Sequence, residues 1–314
     1  MDHQMSEQQI ILVTGGGSGI GKLAALELAR TGHIVYASMR DLRGHSKERR
    51  EQLAEIARDE NIELHVLELD VRSEASARAA ADLILARHGR IDVVINNAAM
   101  MMHGLTEAFR PEQIAEIIDL NAISWMRVNR AVLPAMRRAG RGLLIYTGSG
   151  INRLPDPFTG PYAASKAAGD VLAEVMALEV SRYGIETVII QPGAYTSGTD
   201  HFKHAVGPAD QEVAAQYDRL NGLSDELAAR LNSTNLPDRR HDVEEVAEAI
   251  RDIVAMSPGA RPRRVDIDPQ GRGVDEINEV TARLQRNYFE RMGIEDLLDV
   301  TAANASSADA KPLS

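Results

Sequence analysis

The chain has 314 residues, with 35 lysines and arginines against 46 aspartates and glutamates, a formal net charge of −11, and no cysteine. Zero cysteine excludes disulfides, thiolate catalysis and cysteine-ligated zinc or iron–sulfur sites, and the acidic balance argues against a nucleic-acid or anionic-membrane surface, since both need clustered positive charge. A hydrophobic fraction of 44% with 26% charged residues is ordinary globular composition, enough for one large α/β domain or two small ones.

Short apolar runs at 10–14, 34–38, 63–69, 91–96, 143–147, 187–191 and 264–267 read as strands, several of them apolar almost throughout, as strands covered on both faces must be. Helical spacing fills 21–30, 47–60, 74–88, 112–136, 162–183 and 243–255. The alternation predicts a doubly wound, Rossmann-like parallel sheet of about seven strands, with helices on both faces and right-handed crossovers. One domain is expected over 7–270, interrupted after a late strand by a polar, irregular lid at about 197–240 with a helical piece around 211–231. A C-terminal helical extension is expected over 271–300, and a small-residue tail, 301–314, is expected to be disordered, as are the first six or so residues. The opening MDHQMSEQQ lacks the basic start and apolar run of a signal peptide, and no run of about 18 apolar residues occurs, so a soluble cytoplasmic protein is expected.

The first strand runs into Thr14-Gly15-Gly16-Gly17-Ser18-Gly19-Ile20-Gly21, with a helix at once behind it. Glycines there let the backbone turn tightly, bring N–H groups against a diphosphate and aim the helix N-terminus at that anion. The second strand ends at Arg40-Asp41, where an arginine would neutralise a ribose 2′-phosphate and an acid would hold ribose hydroxyls; the two adjacent residues leave that choice open. Asp70-Val71 and Asn96-Asn97-Ala98-Ala99 follow the third and fourth strands, at the end of an open parallel sheet where ligands bind. Asn121 falls on the apolar stripe of the fourth helix, where a buried amide is either a structural clamp or part of a polar site.

The fifth strand ends at Gly148-Ser149, and Tyr162 and Lys166 then lie one turn apart on the sixth helix. An ammonium beside a phenol favours phenolate. Moving a tyrosine from about 10 to about 7 takes roughly 4 kcal/mol, and such a group exchanges protons at neutral pH. His201 and His204 flank Phe202 in the lid and read as surface residues rather than metal ligands; no metal site is expected.

Taken together, Thr14-Gly15-x-x-x-Gly19-x-Gly21, Asn96-Asn97-Ala98, Asn121, Ser149, Tyr162-x-x-x-Lys166 and Pro192-Gly193 resemble the short-chain dehydrogenase/reductase family from about residue 10 to 268. The resemblance implies an oxidoreductase moving a hydride between a nicotinamide cofactor, NADP(H) ahead of NAD(H), and a small carbonyl or alcohol substrate. It implies Tyr162 as proton donor and acceptor, Lys166 on the nicotinamide ribose, Ser149 on the substrate oxygen, and Asn121 supporting a water in the proton relay. Gly15, Ser18, Gly19, Ile20 and Gly21 would cradle the diphosphate, Asp70 and Val71 the adenine, and Asn97 the adenosine ribose. Pro192, Gly193 and Tyr195 would line the nicotinamide. Ser197 takes the place of a frequent Thr, Gly148 replaces a frequent Ser and is expected to free space near the substrate, and Ala99 replaces a Gly. A homodimer or homotetramer through the sixth helix is also implied. A cofactor-binding sensor without turnover would not need Asn121, Ser149, Tyr162 and Lys166 together, and an epimerase or dehydratase of the longer branch would carry a different glycine spacing.

Overall fold

Each apolar run becomes a strand whose alternate side chains are buried on opposite faces, which is why the runs carry so few polar residues. The computed structural model describes residues 7–199, 201–220 and 222–300. Its strands are β1 (Ile10–Val13), β2 (Ile34–Met39), β3 (Leu64–Glu68), β4 (Val93–Asn96), β5 (Gly142–Thr147), β6 (Ile185–Pro192) and β7 (Arg264–Ile267). They form one parallel sheet in the order β3-β2-β1-β4-β5-β6-β7. The order reverses between β1 and β4, where Leu12 pairs with Val94, and loops leaving the two strands diverge there to open a crevice.

Helices α1 (Gly19–Arg30), α2 (Lys47–Asp59) and α9 (Glu244–Ala255) cover one face. Ile11, Val13, Ile95 and Ile145 pack there against Leu28, Leu53 and Ile250. The other face takes Ile10, Leu12, Val94 and Leu144 against α3 (Glu74–His88), α5 (Ser124–Ala139) and α6 (Gly160–Val180). Trp125 is 1% exposed at the centre of that layer. Enclosing an indole of its size removes roughly 200 Å² from water, about 5 kcal/mol before side-chain entropy is deducted.

The predicted single helix over 112–136 is in fact two. α4 (Pro111–Ile118) passes into one turn of π-helix, Asp119–Ile123, before α5 begins. The lid also differs: its helical piece divides into α7 (Gln211–Ala214) and α8 (Leu223–Ser233). Gly222, with φ 78°, starts the second helix from a left-handed conformation that a continuous helix does not allow. Beyond β7 lies α10 (Val274–Met292), followed by a short turn at Glu295–Leu298. The tail expected to be disordered and the first six residues lie outside the described residues. Among those that are described, no helix is long and apolar enough to cross a membrane.

Candidate active site

Loops from the carboxyl ends of β1, β2, β3, β4, β5 and β6 line one cleft of about 420 Å³. Thr14 fastens two of them. Its hydroxyl accepts from the backbone N–H of Asn97 (2.9 Å) and of Ala98 (3.0 Å), and the Asn97 amide donates back to the Thr14 carbonyl (3.0 Å). Gly15 turns there with φ 65°, and a Cβ on it would meet Ala98 Cα at 3.0 Å. A Cβ on Gly21 would lie 2.4 Å from Asn97 Nδ2 and 2.5 Å from the Gly15 carbonyl. Gly21 therefore serves close packing and is not on the cleft wall, whereas Gly15, Ser18, Gly19 and Ile20 are. Ser18 makes no side-chain cap, so the first turn of α1 presents its backbone N–H groups at the cleft.

At the end of β2 the two candidates separate. Arg40 lines the cleft. Asp41 takes φ 51° and turns its carboxylate onto its own loop, accepting from the N–H of Gly44 (3.0 Å) and of His45 (2.8 Å). The loop thus folded brings His45, Ser46 and Arg49 to the cleft beside Arg40. Neither the glycine spacing of a phosphate loop nor helical periodicity marks these three residues, although the sequence run from Arg40 to Arg50 is visibly basic. Asp70, Val71 and Asn97 also line the cleft, with one Asp70 oxygen accepting from Arg72 N–H at 3.0 Å.

At the far end, Ser149, Tyr162, Lys166, Pro192, Gly193 and Tyr195 come together. Lys166 is 2% exposed, and its Nζ donates to the Thr147 carbonyl (2.8 Å) while lying 5.8 Å from the centroid of the Tyr162 ring. The phenol near neutrality expected from the sequence is not what this environment produces. Burial pushes Tyr162 up to about 12, against the opposing pull of the Ser149 hydroxyl and the Arg272 guanidinium. Burial likewise lowers Lys166 to about 8. Desolvation outweighs the ammonium here because both groups are enclosed and the ammonium is anchored to a carbonyl.

Asn121 is wholly buried in the π turn and is not on the cleft wall. It accepts from Met100 N–H (2.8 Å) and donates to the Met100 carbonyl (2.9 Å) and the Ser165 hydroxyl (2.9 Å). The geometry is that of a clamp, holding the loop after β4 to the helix that carries Tyr162 and Lys166. Gly148 lines the cleft, and a Cβ there would meet the Ile190 carbonyl at 3.0 Å. Ser197 is not on the cleft wall, but Thr199 is, its side chain about 4 Å from where a Gly19 Cβ would stand.

Of the two lid histidines read as surface residues, His204 is exposed and His201 is half-buried. Both His201 and His204 line the cleft, and His201 Nε2 lies 3.3 Å from the Tyr162 hydroxyl. Met100, Met101, Ile151, Phe202 and Leu231 give this end an apolar wall, and Asp156 with Arg272 gives it a charged edge. Arg272, contributed from beyond β7, pairs with Asp156 (3.4 Å) and with the enclosed Asp268 (3.1 Å). No motif in the sequence singles it out.

Comparison with known proteins bears on this arrangement. The sequence profile described as short chain dehydrogenase matches residues 9–206. The chain is 35% identical over 192 residues to the 3-ketodihydrosphingosine reductase of Bacteroides thetaiotaomicron, covering 61% of this chain and 66% of that protein. It is 34% identical over 190 residues to human 17-beta-hydroxysteroid dehydrogenase type 1, covering 59% of this chain and 56% of that one. Among solved structures, a gluconate 5-dehydrogenase from Burkholderia cenocepacia in complex with NADP and tartrate superposes with a TM-score of 0.68 at 27% identity, covering 85% of this chain and 95% of the other. An actinorhodin polyketide ketoreductase with NADPH gives 0.69 at 25% identity, covering 85% and 98%.

Proposed function

We propose, from the premise that this chain belongs to the short-chain dehydrogenase family and is one of its oxidoreductases, that it reduces the carbonyl of a small molecule, or oxidises the matching secondary alcohol, with NADP(H) as partner and Tyr162 as proton donor and acceptor. The observation that carries this reading is the meeting of Ser149, Tyr162 and Lys166 with the glycine loop in one cleft. A dinucleotide fits the residues present: Gly15 and Gly19 hold positive φ, so backbone replaces side chain along the wall, and the open first turn of α1 faces the same space. A nicotinamide bound there supplies or takes up the hydride.

Every other step falls to the chain's own side chains. Ser149 and Tyr162 reach the substrate oxygen from the end of β5 and the start of α6. A phenol held near 12 is fully protonated at neutral pH, so it is set to donate as negative charge develops on that oxygen. Lys166 anchors one ribose edge and keeps a positive charge behind the ring as the phenolate forms. Asn121 acts at one remove, holding the loop after β4 in register with α6. Preference for NADP(H) rests on Arg40 and Arg49 at the cleft edge and on Asp41, whose carboxylate already serves backbone amides. The two solved relatives named above hold NADP or NADPH.

The apolar wall of Met100, Met101, Ile151 and Phe202 favours a substrate with an apolar body. The named sequence relatives act on 3-ketodihydrosphingosine and on 17-beta-hydroxysteroids, and this chain is aligned with only part of each. The test is a screen of ketones and aldehydes with both cofactors, followed by Tyr162→Phe. The variant should lose turnover by about a thousandfold while binding NADPH as before, since only the transferring hydroxyl is removed. Turnover within tenfold of wild type would overturn the assignment.

A further inference from the structure

We propose that His201, from the lid, is a further catalytic residue, a neutral imidazole whose Nε2–H donates to the Tyr162 hydroxyl oxygen and stays on that oxygen after its proton has gone. The inference rests on Tyr162 being the proton donor. Its starting point is direct contact: Nε2 stands 3.3 Å from Oη, and the rings meet edge to face with centroids 5.5 Å apart. The lid is fastened just after this contact. Phe202 packs against the apolar cluster that includes Met101, Ile117 and Tyr162, while the Val206 N–H donates to the Met101 carbonyl at 2.9 Å.

Charge at the site dictates the form of the ring. Burial lowers the imidazole to about 4, and the Lys166 ammonium acts in the same direction, so it is uncharged at neutral pH. A neutral imidazole carries one N–H and one acceptor nitrogen. With the N–H on Nε2, it meets a lone pair of Oη and leaves the phenol's own proton free for the substrate oxygen. In reduction, the Tyr162 O–H bond breaks and the substrate O–H bond forms; His201 gives up nothing. The phenolate left behind then accepts from His201 and from Ser149, within the field of Lys166 and of Arg272, the last partly offset by Asp156 and Asp268. A second cation beside Lys166 would be opposed, whereas a neutral donor is not. The opposite tautomer would draw the phenol proton toward the imidazole and away from the substrate.

Two measurements test this. The first needs no substrate: long-range proton–nitrogen correlation spectra of wild type, His201→Phe and Tyr162→Phe identify the His201 ring and its tautomer. The expected result is a neutral ring protonated on Nε2 from weakly acid to neutral pH, with its resonances displaced in Tyr162→Phe. A ring protonated on Nδ1, a ring titrating near the ordinary histidine value, or resonances indifferent to Tyr162→Phe would each overturn the proposal. The second uses the ketone that wild type reduces fastest with NADPH. His201→Phe, which keeps the ring and its edge contact, should lower kcat by about ten- to a hundredfold, the worth of one hydrogen bond to a charged oxygen. KM, NADPH affinity and the thermal midpoint should stay close to wild type, and the solvent deuterium isotope effect should rise. His201→Gln, which restores an amide donor, should recover most of the loss. A rise in KM with kcat intact, or equal damage from Phe and Gln, would reduce His201 to lid packing. Tyr162→Phe separates the two levels: if that variant stays active, the reading of the site itself fails, and if it is inactive while His201→Phe keeps its kcat, the role of His201 alone fails.

Discussion

Replacing Lys166 with methionine removes a charge from an enclosed position, and the free protein should then be as stable as wild type at neutral pH or more so. Burial takes the ammonium from an ordinary 10.5 to about 8. At about 1.36 kcal/mol per pH unit, that displacement is a penalty of about 3 kcal/mol carried by the folded state at neutral pH. Against it stands the hydrogen bond to the Thr147 carbonyl, whose loss leaves a buried acceptor unpaired at a cost of about 1–3 kcal/mol. The variant should therefore lie between equal stability and a gain of about 2 kcal/mol, although a methionine cannot serve the proposed chemistry. The pH dependence is the sharper check. Between about 8 and 10.5 the unfolded chain keeps a proton on Lys166 that the folded chain has released, so wild-type stability rises with pH relative to the variant. The gain should approach the full ~3 kcal/mol by the top of that window and be absent below it. Tyr162 titrates in both proteins and drops out of the difference. Denaturant unfolding of the two proteins across neutral to alkaline pH supplies the measurement. A difference that stays constant through the window, or that moves in the opposite sense, would refute the reasoning.

Two further outcomes are open to measurement. Arg40→Ala and Arg49→Ala should each weaken NADPH far more than NADH, by roughly ten- to a hundredfold, since each removes a charge-assisted contact worth about 1.5–3 kcal/mol; equal losses for both cofactors in a fluorescence titration would reduce the arginines to general positioning. Val171, Leu172 and Val175 on α6 are 57%, 40% and 45% exposed, an apolar face proposed to pair two chains about a two-fold axis. Sedimentation should show a mass above that of one chain, falling to one chain in Val175→Glu; a monomer at micromolar wild-type protein would remove the proposal.

The sheet was legible in the sequence because a strand covered on both faces must be apolar along its length, and the glycine loop because tight turning leaves few alternatives. The small residues at the start of α6 divide: Ala163, Ser165 and Gly169 are buried within the chain, where a Cβ on Gly169 would meet the Trp125 ring at 2.8 Å, while Ala164 is exposed. What failed to show were properties that depend on enclosure or on loop paths. Arg49 reaches the cleft because Asp41 curls its loop, and His201 because Phe202 pins the lid, and neither event has a period. The direction of the Tyr162 shift depends on how much covers the ring, which an i, i+4 spacing with lysine does not report.

The π turn at Asp119–Ile123 has a consequence for how this region tolerates change in length. An α-helix turns about 100° per residue, and a π turn holds one residue more than the α turn it replaces. Deleting that one extra residue between Ile118 and Ser124 would therefore turn the segment into ordinary α-helix with α5 kept nearly in phase with α4. Trp125 would keep its place against Tyr146, whose ring centroid lies 5.0 Å away, and Val128 and Val132 would keep theirs against the sheet. What would be lost is the bulge itself, and with it the placement of Asn121 against Met100 and Ser165. A deletion of one residue is thus absorbed here by the rod but not by the clamp, whereas a deletion within α4 or α5 would turn the residues after it by about 100°.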